Sequence, residues 1–316
     1  MSAPRLIMKL RVAEARLVTE DTLLLRLVHQ SRPQLPAWTA GAHVDLLLPD
    51  GKVRQYSLCG DPADRSSYRI AIKREEAGRG GSAWIHEALA EGTLANVSAP
   101  RNNFGLAEGA SHHLLVAGGI GVTPILAMAR ELEAAGSSFS VHYCARSAPT
   151  APLLEELRAV CGDRLSCWFS ADGRRFTPAV LEPPRDGAHL YACGPLGLID
   201  DLTAHALSNG WSPEQVHAEK FQALRDENFV PEDFEVELSS TGQLLHVPAS
   251  ATLLSVLQAH GVPMRTSCET GICGSCICDY TAGEVIHRDA VLQLAERSHR
   301  IVPCVSRARG TLTLAL

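Results

Sequence analysis

The chain has 316 residues, enough for two or three domains that each bury a core, and 46% of them are hydrophobic, which is typical of a globular protein. A net charge of −6 gives no support for nucleic-acid binding, and no stretch approaches the roughly 18 apolar residues of a membrane span. The first residues lack the apolar run and cleavage site of a secretory signal, so we expect a cytoplasmic protein with reduced cysteines.

Short β-type runs separated by turn residues fill residues 1–106. This pattern predicts an antiparallel β-barrel that is interrupted by one helix. The predicted strands cover residues 6–18, 22–28, 43–48, 55–59, 68–73 and 93–98, and the predicted helix covers residues 82–89.

Two motifs in this first module together predict a flavin site. On one strand, Arg54 offers a planar fork for a phosphate, Tyr56 can lie against an isoalloxazine ring, and Ser57 can hydrogen-bond the reactive edge of that ring. Gly81 and Ser82 then open the predicted helix, whose free N–H groups and positive dipole end suit a phosphate. Each motif alone also fits an ordinary strand or turn, and it is their pairing that favours a flavin.

Residues 107–222 change to alternating strands and helices, which predicts a parallel, doubly wound α/β sheet. The predicted strands cover residues 114–117, 139–144, 166–169 and 189–193, and the last of these is predicted to be the final strand of the sheet. The predicted helices cover residues 124–135, 153–160 and 178–181.

Glycine-rich turns follow the first and the last of these predicted strands. Because ligands of open α/β sheets bind at the carboxyl ends of strands, both turns are candidates for binding a nicotinamide nucleotide. Glycines let the backbone approach a pyrophosphate, although the G-x-G-x-x-G fingerprint of dehydrogenases is absent. Cys193 is predicted to contact the nicotinamide, the alternative being a small buried residue at a strand end. The candidate residues are Gly118, Gly119, Gly121, Thr123 and Pro124 in the first turn and Cys193, Gly194 and Pro195 in the second.

A polar stretch at residues 223–233 is predicted to be a linker, and residues 234–316 form a third module with strands at 235–238 and 244–247 and a helix at 252–260. Four cysteines in this module have the plant-type [2Fe–2S] spacing C-x4-C-x2-C…C. A structural zinc site is the alternative, but zinc motifs usually pair two C-x2-C knuckles. Cys278 is predicted to be a core residue rather than a fifth ligand. The predicted cluster ligands are Cys268, Cys273, Cys276 and Cys304.

These three sets of motifs, in this order along essentially the whole chain, resemble the phthalate dioxygenase reductase family, and the vanillate demethylase reductase type in particular. The stretches at residues 99–102 and 287–289 agree with this resemblance. It implies a flavin barrel, a nucleotide domain and a β-grasp (α+β) ferredoxin domain in one chain. It further implies NADH as the electron donor, FMN as the flavin and a Rieske-type aromatic oxygenase as the electron acceptor.

The resemblance also implies further site residues. Arg79 is expected near the flavin phosphate together with Gly81 and Ser82, and Lys73 is included among the cofactor-binding residues. Glu219 and Phe221 are expected near the junction of flavin and nicotinamide. No side chain is predicted to be catalytic, because NADH supplies a hydride and the flavin passes the electrons singly to the cluster. The protein is expected to be a monomer.

Several alternatives stay open at this point. Arg146 and Ser147 follow the second strand of the α/β module, where an acidic residue would favour NADH, so this pair could accept the 2′-phosphate of NADPH. FAD is the alternative to FMN, which is favoured because the barrel has no evident adenine platform. The electron acceptor could instead be a haem monooxygenase. A non-catalytic iron–sulfur protein is the alternative from a different functional class.

Overall fold

The computed structural model describes residues 6–49, 51–75, 80–181, 183–221, 229–266 and 268–316. The chain divides into two units, the first ending at Glu219 and the second beginning at Lys220. The first unit contains an antiparallel sheet and a parallel sheet, and the second contains a mixed sheet. These sheets confirm the predicted fold class, whereas the predicted domain boundaries at residues 106 and 222 stay predictions.

The antiparallel sheet forms the predicted barrel. Alternate side chains of its first strand are buried, because successive residues of a strand point to opposite faces. The elements are β1 (Ile7–Thr19), β2 (Thr22–His29), β3 (Ala42–Leu47), β4 (Val53–Ser57), β5 (Tyr68–Lys73), α1 (Gly81–Ala88), β6 (Leu94–Ser98) and β7 (Arg101–Asn102). The strand order is β4-β3-β6-β1-β2-β5, and β7 pairs with β3. A bridge between Leu58 and Ile70 connects the two outer strands and closes the barrel.

The parallel sheet is doubly wound, as predicted. Its elements are β8 (His112–Gly118), α2 (Val122–Ala134), β9 (Phe139–Ala145), α3 (Leu154–Cys161), β10 (Leu165–Phe169), β11 (Ala188–Cys193), α4 (Leu196–Ser208) and β12 (Val216–Glu219). The strand order β10-β9-β8-β11-β12 reverses direction between β8 and β11. Ligands of such sheets bind at this switch point, and both predicted glycine turns lie there.

Two predictions about this sheet are wrong. Residues 178–181 were expected to form a helix, but only a 3₁₀ turn, Pro178–Val180, forms there. The strand that ends at Cys193 is not the final one, because β12 follows it and occupies the edge of the sheet. With only four residues, β12 is too short to show a periodic pattern in the sequence.

The two sheets of the first unit share one continuous core. Buried side chains of the barrel, such as Leu10 and Tyr68, belong to the same hydrophobic cluster as Leu126 of α2 and Leu157 of α3. The barrel and the α/β module therefore hold their binding residues in a fixed arrangement.

The second unit contains the mixed sheet typical of the β-grasp class. Its elements are β13 (Phe234–Leu238), β14 (Gln243–Val247), α5 (Leu253–Ala259), β15 (Cys278–Ile286), β16 (Arg300–Ile301) and β17 (Arg307–Leu314). The order is β14-β13-β17-β15-β16, with β13 and β17 parallel and the other pairs antiparallel. Thr252 caps α5 by accepting the N–H of Ser255 at 3.1 Å. In the part of the chain that the structure describes, no helix is both long and apolar enough to cross a membrane.

Candidate functional site

Arg54 and Gly81, from the two motifs predicted to bind a flavin, lie against each other. A Cβ atom added at Gly81 would be 2.5 Å from Nε of Arg54, so any larger residue there would displace the guanidinium. Nη1 of Arg54 donates to the carbonyl of Val53 at 3.0 Å, while Nη2 is buried without a partner among the described residues. A half-buried guanidinium with a buried donor atom beside the start of α1 fits an anionic group such as a flavin phosphate.

Of the other residues predicted for the flavin site, Tyr56 is half-buried and Lys73 is exposed. Tyr56 lies on β4, and burial raises the pKa of its hydroxyl, so the ring stays neutral. The Ser82 hydroxyl accepts the N–H of Glu75 at 3.0 Å. Lys73 is exposed, and its Nζ lies 3.8 and 3.9 Å from two surface carboxylates. Arg79 lies outside the described residues.

The glycine turns that follow β8 and β11 pack directly against each other. A Cβ at Gly121 would be 2.2 Å from the carbonyl oxygen of Cys193, and one at Gly118 would be 2.6 Å from Cδ of Pro195. A Cβ at Gly194 would in turn be 2.9 Å from Cα of Gly118. These three glycines are therefore required by the close approach of two backbones at the switch point.

Gly119, in contrast, faces open space. Its φ is +53°, and an added Cβ would have no neighbour within 4 Å. It precedes α2, whose first turn contains the buried residues Thr123 and Pro124. The Thr123 hydroxyl donates to the carbonyl of Ile120 at 3.0 Å and so fixes this turn. Open backbone beside a helix start supports the predicted pyrophosphate site at Gly119.

Arg146 and Ser147 follow β9 at the same edge of the sheet. The side chain of Arg146 is exposed, and its carbonyl accepts the N–H of Ala171 at 2.9 Å. The Ser147 hydroxyl lies 3.1 Å from the hydroxyl of Thr150, which also accepts the N–H of Ser147. Ser147 is thus engaged within its own turn, whereas Arg146 extends at the edge where a nucleotide ribose is expected.

Ser57, Cys193 and Glu219 come from distant parts of the sequence and meet at one point. The Ser57 hydroxyl donates to Oε2 of Glu219 at 3.3 Å, and Sγ of Cys193 lies 4.0 Å from the same oxygen. Cys193 and Glu219 are partners in the pairing of β11 with β12, and Ser57 ends a barrel strand. The structure therefore brings together a residue predicted for the flavin, one predicted for the nicotinamide and one predicted for their junction.

Burial keeps both acidic groups at this junction neutral. Glu219 is half-buried, and burial raises the pKa of its carboxyl group to about 8 despite the hydrogen bond from Ser57. Burial likewise raises the pKa of Cys193 well above its ordinary value. The junction is thus polar but uncharged at neutral pH. Phe221, also predicted here, is 36% exposed and lies in the second unit.

The four predicted cluster ligands form two pairs in the second unit. The thiols of Cys268 and Cys273 lie within interaction distance of each other, and so do those of Cys276 and Cys304. The N–H of Thr270 donates to Sγ of Cys268 at 3.5 Å, and that of Ser275 donates to Sγ of Cys273 at 3.4 Å. Two thiol pairs with amide donors to sulfur suit a binuclear cluster, in which each iron takes two thiolates.

The loop that carries Cys268, Cys273 and Cys276 is built around two glycines. Gly271 and Gly274 have φ values of +77° and +67°, the conformation that a tight ligand loop requires. Cys278 begins β15 and is buried in the core, as predicted.

Comparison with protein families gives two matches. Residues 236–309 match the 2Fe-2S iron-sulfur cluster binding domain. Residues 98–216 match the N-terminal domain of the DmmA-like subunit of dimethylamine monooxygenase. The first match includes all four paired cysteines, and the chain therefore binds a [2Fe–2S] cluster.

Two curated relatives cover most of the chain. It is 42% identical to the vanillate O-demethylase oxidoreductase of Pseudomonas sp. (strain HR199 / DSM 7063), over 95% of this chain and 96% of that protein. It is also 42% identical to the heme-dependent oxidative N-demethylase beta subunit of Ectopseudomonas mendocina (strain ymp), over 88% of each chain. Relatives of one architecture thus serve oxygenase systems of different kinds.

Two solved structures extend this comparison. Phthalate dioxygenase reductase has a TM-score of 0.70 and 35% identity to this chain, with 98% of each chain covered. Full-length CYP116B46 from Tepidiphilus thermophilus has a TM-score of 0.86 and 39% identity, covering 98% of this chain. The chain spans 42% of the length of that cytochrome P450.

Proposed function

Because this chain belongs to the phthalate dioxygenase reductase and vanillate O-demethylase reductase family, we propose that it carries electrons from NADH, through FMN and its [2Fe–2S] cluster, to a Rieske-type terminal oxygenase. It is a flavin and iron–sulfur oxidoreductase of the kind that supplies oxygenases. In this proposal the protein is a cytoplasmic monomer, and the substrate pocket belongs to the partner oxygenase.

The meeting of Ser57, Cys193 and Glu219 is the observation that carries this proposal. Hydride transfer requires the nicotinamide and the flavin to face each other closely. Both Ser57 and Cys193 approach the same oxygen of Glu219, at 3.3 and 4.0 Å. We assign Ser57 to the reactive edge of the flavin, Cys193 to the nicotinamide and Glu219 to the space between them.

The remaining residues bind and orient the cofactors. Arg54 and the start of α1 hold the flavin phosphate, and Tyr56 lies against the ring. Gly119 and the start of α2 hold the pyrophosphate of the nucleotide. A bound flavin accepts the two electrons of a hydride and passes them on singly, which is the conversion that NADH and a one-electron cluster need. The role of the chain is to position these groups and to exclude water from the junction.

Two details of the proposal are tested separately. Flavin released by acid and separated by chromatography distinguishes FMN from FAD. Turnover with NADPH and with NADH tests the donor, because Arg146 is free to face a 2′-phosphate at the edge of the sheet. A turnover ratio of NADPH over NADH well above one would overturn the proposed preference for NADH.

A haem-containing monooxygenase is the second candidate for the electron acceptor. The similarity to a heme-dependent N-demethylase subunit and to a cytochrome P450 favours this candidate specifically. The two acceptors are distinguished by supplying the reduced protein to a purified Rieske oxygenase and to a purified haem enzyme. Faster electron transfer to the haem enzyme would reverse the order of the two proposals.

Low-temperature EPR after anaerobic addition of NADH tests the whole electron path. We expect the rhombic signal of a reduced [2Fe–2S] cluster, because hydride entry and electron conversion both precede its reduction. A signal with dithionite but not with NADH would overturn the proposed nucleotide and flavin residues. Substitution of Gly119 by valine should weaken the NADH-dependent signal, whereas in a non-catalytic cluster protein it would change nothing.

A further inference from the structure

Residues 287–289 agree with the family resemblance but have no place in the electron path described above. They end in Asp289, whose side chain is fully buried, with 0% exposure. Burying a carboxylate costs several kcal/mol unless hydrogen bonds and charges compensate for the loss of water. The groups around Asp289 therefore indicate what the buried charge does.

The Asp289 carboxylate connects a tight turn with the segment that carries the fourth ligand. Its Oδ2 accepts the N–H of Leu292 at 2.9 Å, and the Ser306 hydroxyl donates to its Oδ1 at 3.4 Å. The same hydroxyl accepts the N–H of Arg288 at 3.2 Å. Ser306 lies two residues after Cys304. The Asp289 side chain therefore joins its own turn to the segment that carries the fourth ligand.

The turn that Asp289 organises also holds the loop of the other ligands. The N–H of Ala290 donates to the carbonyl of Gly271 at 2.9 Å. A Cβ at Gly271 would be 3.2 Å from Cα of Asp289 and 2.6 Å from Cγ2 of Val305. Since Gly271 lies between the first two cluster cysteines, the two segments that supply ligands are joined through this one turn.

The groups that face Asp289 keep it ionised. Nδ1 of His287 lies 3.5 Å from its Oδ1, and Arg297 donates to its backbone carbonyl at 3.3 Å. Burial would raise the pKa of Asp289, but the nearby His287, the hydrogen bond from Leu292 and the charge of Arg297 outweigh burial and lower that pKa. A buried negative charge opposes the addition of an electron to a neighbouring cluster, whose potential depends on local charge.

We propose that Asp289 is a positioning residue for the [2Fe–2S] cluster, which fixes the spacing between its two ligand segments and lowers its reduction potential. The inference rests on the proposed function, because it presupposes a redox-active cluster. A lower potential favours passing the electron on to an acceptor over retaining it. Asp289 acts through the ligand segments and through its charge, since its hydrogen bonds go to the turn and to Ser306.

Two isosteric variants of the full-length protein test the role of the charge. Asp289→Asn removes the buried charge, and Asp279→Asn removes an exposed charge from the same unit, where Asp279 pairs with Arg300 at 3.2 Å. The cluster potential is measured by redox titration followed by EPR. We expect a more positive potential for Asp289→Asn and an unchanged one for Asp279→Asn. The role of the charge would be overturned if the wild type and both variants had the same cluster potential. It would also be overturned if both variants shifted the potential equally.

Two truncating variants test the positioning. Asp289→Ala and Ser306→Ala should lose iron to a chelator about tenfold faster or more, as expected when outer-shell partners of a metal site are removed. Reduction of the flavin by NADH should stay unchanged, because Arg54, Ser57 and Glu219 lie in the first unit. Ser306→Ala removes only one hydroxyl, so its rate of iron loss tests the positioning role even if Asp289→Ala does not fold. Iron loss at the wild-type rate would overturn the positioning role, whereas wild-type protein without a redox-active cluster would overturn the proposed function.

Discussion

Gly81 lies so close to Arg54 that an alanine in its place would put the new Cβ 2.5 Å from Nε of the guanidinium. The guanidinium would have to move, and with it Nη2, which has no partner in the part of the chain that the structure describes. We expect Gly81→Ala to bind FMN about tenfold more weakly, which corresponds to about 1.4 kcal/mol. Fluorescence titration of the apoprotein with FMN measures this change.

Gly197 in α4 provides the matched control for that substitution. A Cβ added there meets nothing within 4 Å, and its φ lies outside the left-handed region. Gly197→Ala should therefore leave FMN binding unchanged and stabilise the helix slightly. Equal FMN affinity of Gly81→Ala and the wild type would show that Arg54 does not bind the flavin phosphate.

The raised pKa of Glu219, about 8 against an ordinary 4.5, predicts a pH dependence of stability. The folded protein favours the protonated carboxyl, so the stabilisation is complete below about pH 4.5 and is lost as the pH rises towards 8. Glu219→Gln cannot ionise, and we expect its thermal midpoint to fall less than that of the wild type between pH 5 and 9. A constant difference in thermal midpoint between Glu219→Gln and the wild type from pH 5 to 9 would contradict the raised pKa.

At the scale of elements, Glu156 of α3 joins the α/β module to the barrel. Its carboxylate binds both guanidinium nitrogens of Arg69 on β5, at 2.7 and 2.9 Å, and Nη2 of Arg130 on α2 at 2.5 Å. Glu156→Ala leaves two partly buried cations unpaired, so we expect the free energy of unfolding of the first unit to fall by about 2 kcal/mol. All four tryptophans lie before residue 220, so urea unfolding followed by tryptophan fluorescence reports on this unit.

The neighbouring residue Glu155 provides the control for the Glu156→Ala variant. Glu155→Ala removes a carboxylate that is 81% exposed and pairs with Arg158, so the free energy of unfolding should fall by less than about 0.5 kcal/mol.

The pKa of Glu156 is lowered. Burial alone would raise this pKa, but the hydrogen bonds and charges of Arg69 and Arg130 outweigh burial. The stabilisation by Glu156 is therefore present above about pH 4.5 and is lost as the pH falls through the lowered pKa. The loss in free energy of unfolding that Glu156→Ala causes should therefore become smaller at acidic pH.

Local sequence patterns predict most of these elements correctly, for identifiable reasons. Strands such as Tyr68–Lys73 are bounded by turn residues, and the helix after β8 follows a glycine turn. The helix Leu196–Ser208 was not predicted, because the Gly194-Pro195 turn directly before it was interpreted as a strand end. Residues 178–181 begin with a proline, which suits a first turn but does not ensure further ones.

At the scale of the whole molecule, the motifs predict which residues bind cofactors but not how they meet. Ser57 and Glu219 are 162 positions apart, and their hydrogen bond follows only from the packing of the barrel against the α/β sheet. The role of Glu219 came from the family resemblance alone. The sequence likewise does not single out Asp289, since its burial and its hydrogen bond from Ser306 depend on tertiary structure.

The division into two units predicts that the two halves of the electron path can be separated by one substitution. Cys273→Ser removes one thiol of the pair Cys268–Cys273 in the second unit, while Ser57, Cys193 and Glu219, which are predicted for hydride transfer, lie in the first. We expect the loss of the cluster and of its EPR signal, but continued NADH-dependent reduction of ferricyanide by the flavin. Cys278→Ala is the control, because Cys278 lies in the core rather than among the ligand pairs. Iron retained in Cys273→Ser but lost in Cys278→Ala would contradict the predicted ligand set.

The two cysteine pairs differ in how much chain lies between their members. Cys268 and Cys273 belong to one short loop, whereas Cys276 and Cys304 are separated by the whole of β15 and β16. A cluster held by both pairs therefore closes a covalent ring that contains two of the five strands of the mixed sheet, much as a disulfide does, and restricts the unfolded chain more than the folded one. Incorporation of iron and sulfide is in this sense also a cross-linking step, which gives the second unit a resistance to unfolding that its apo form lacks.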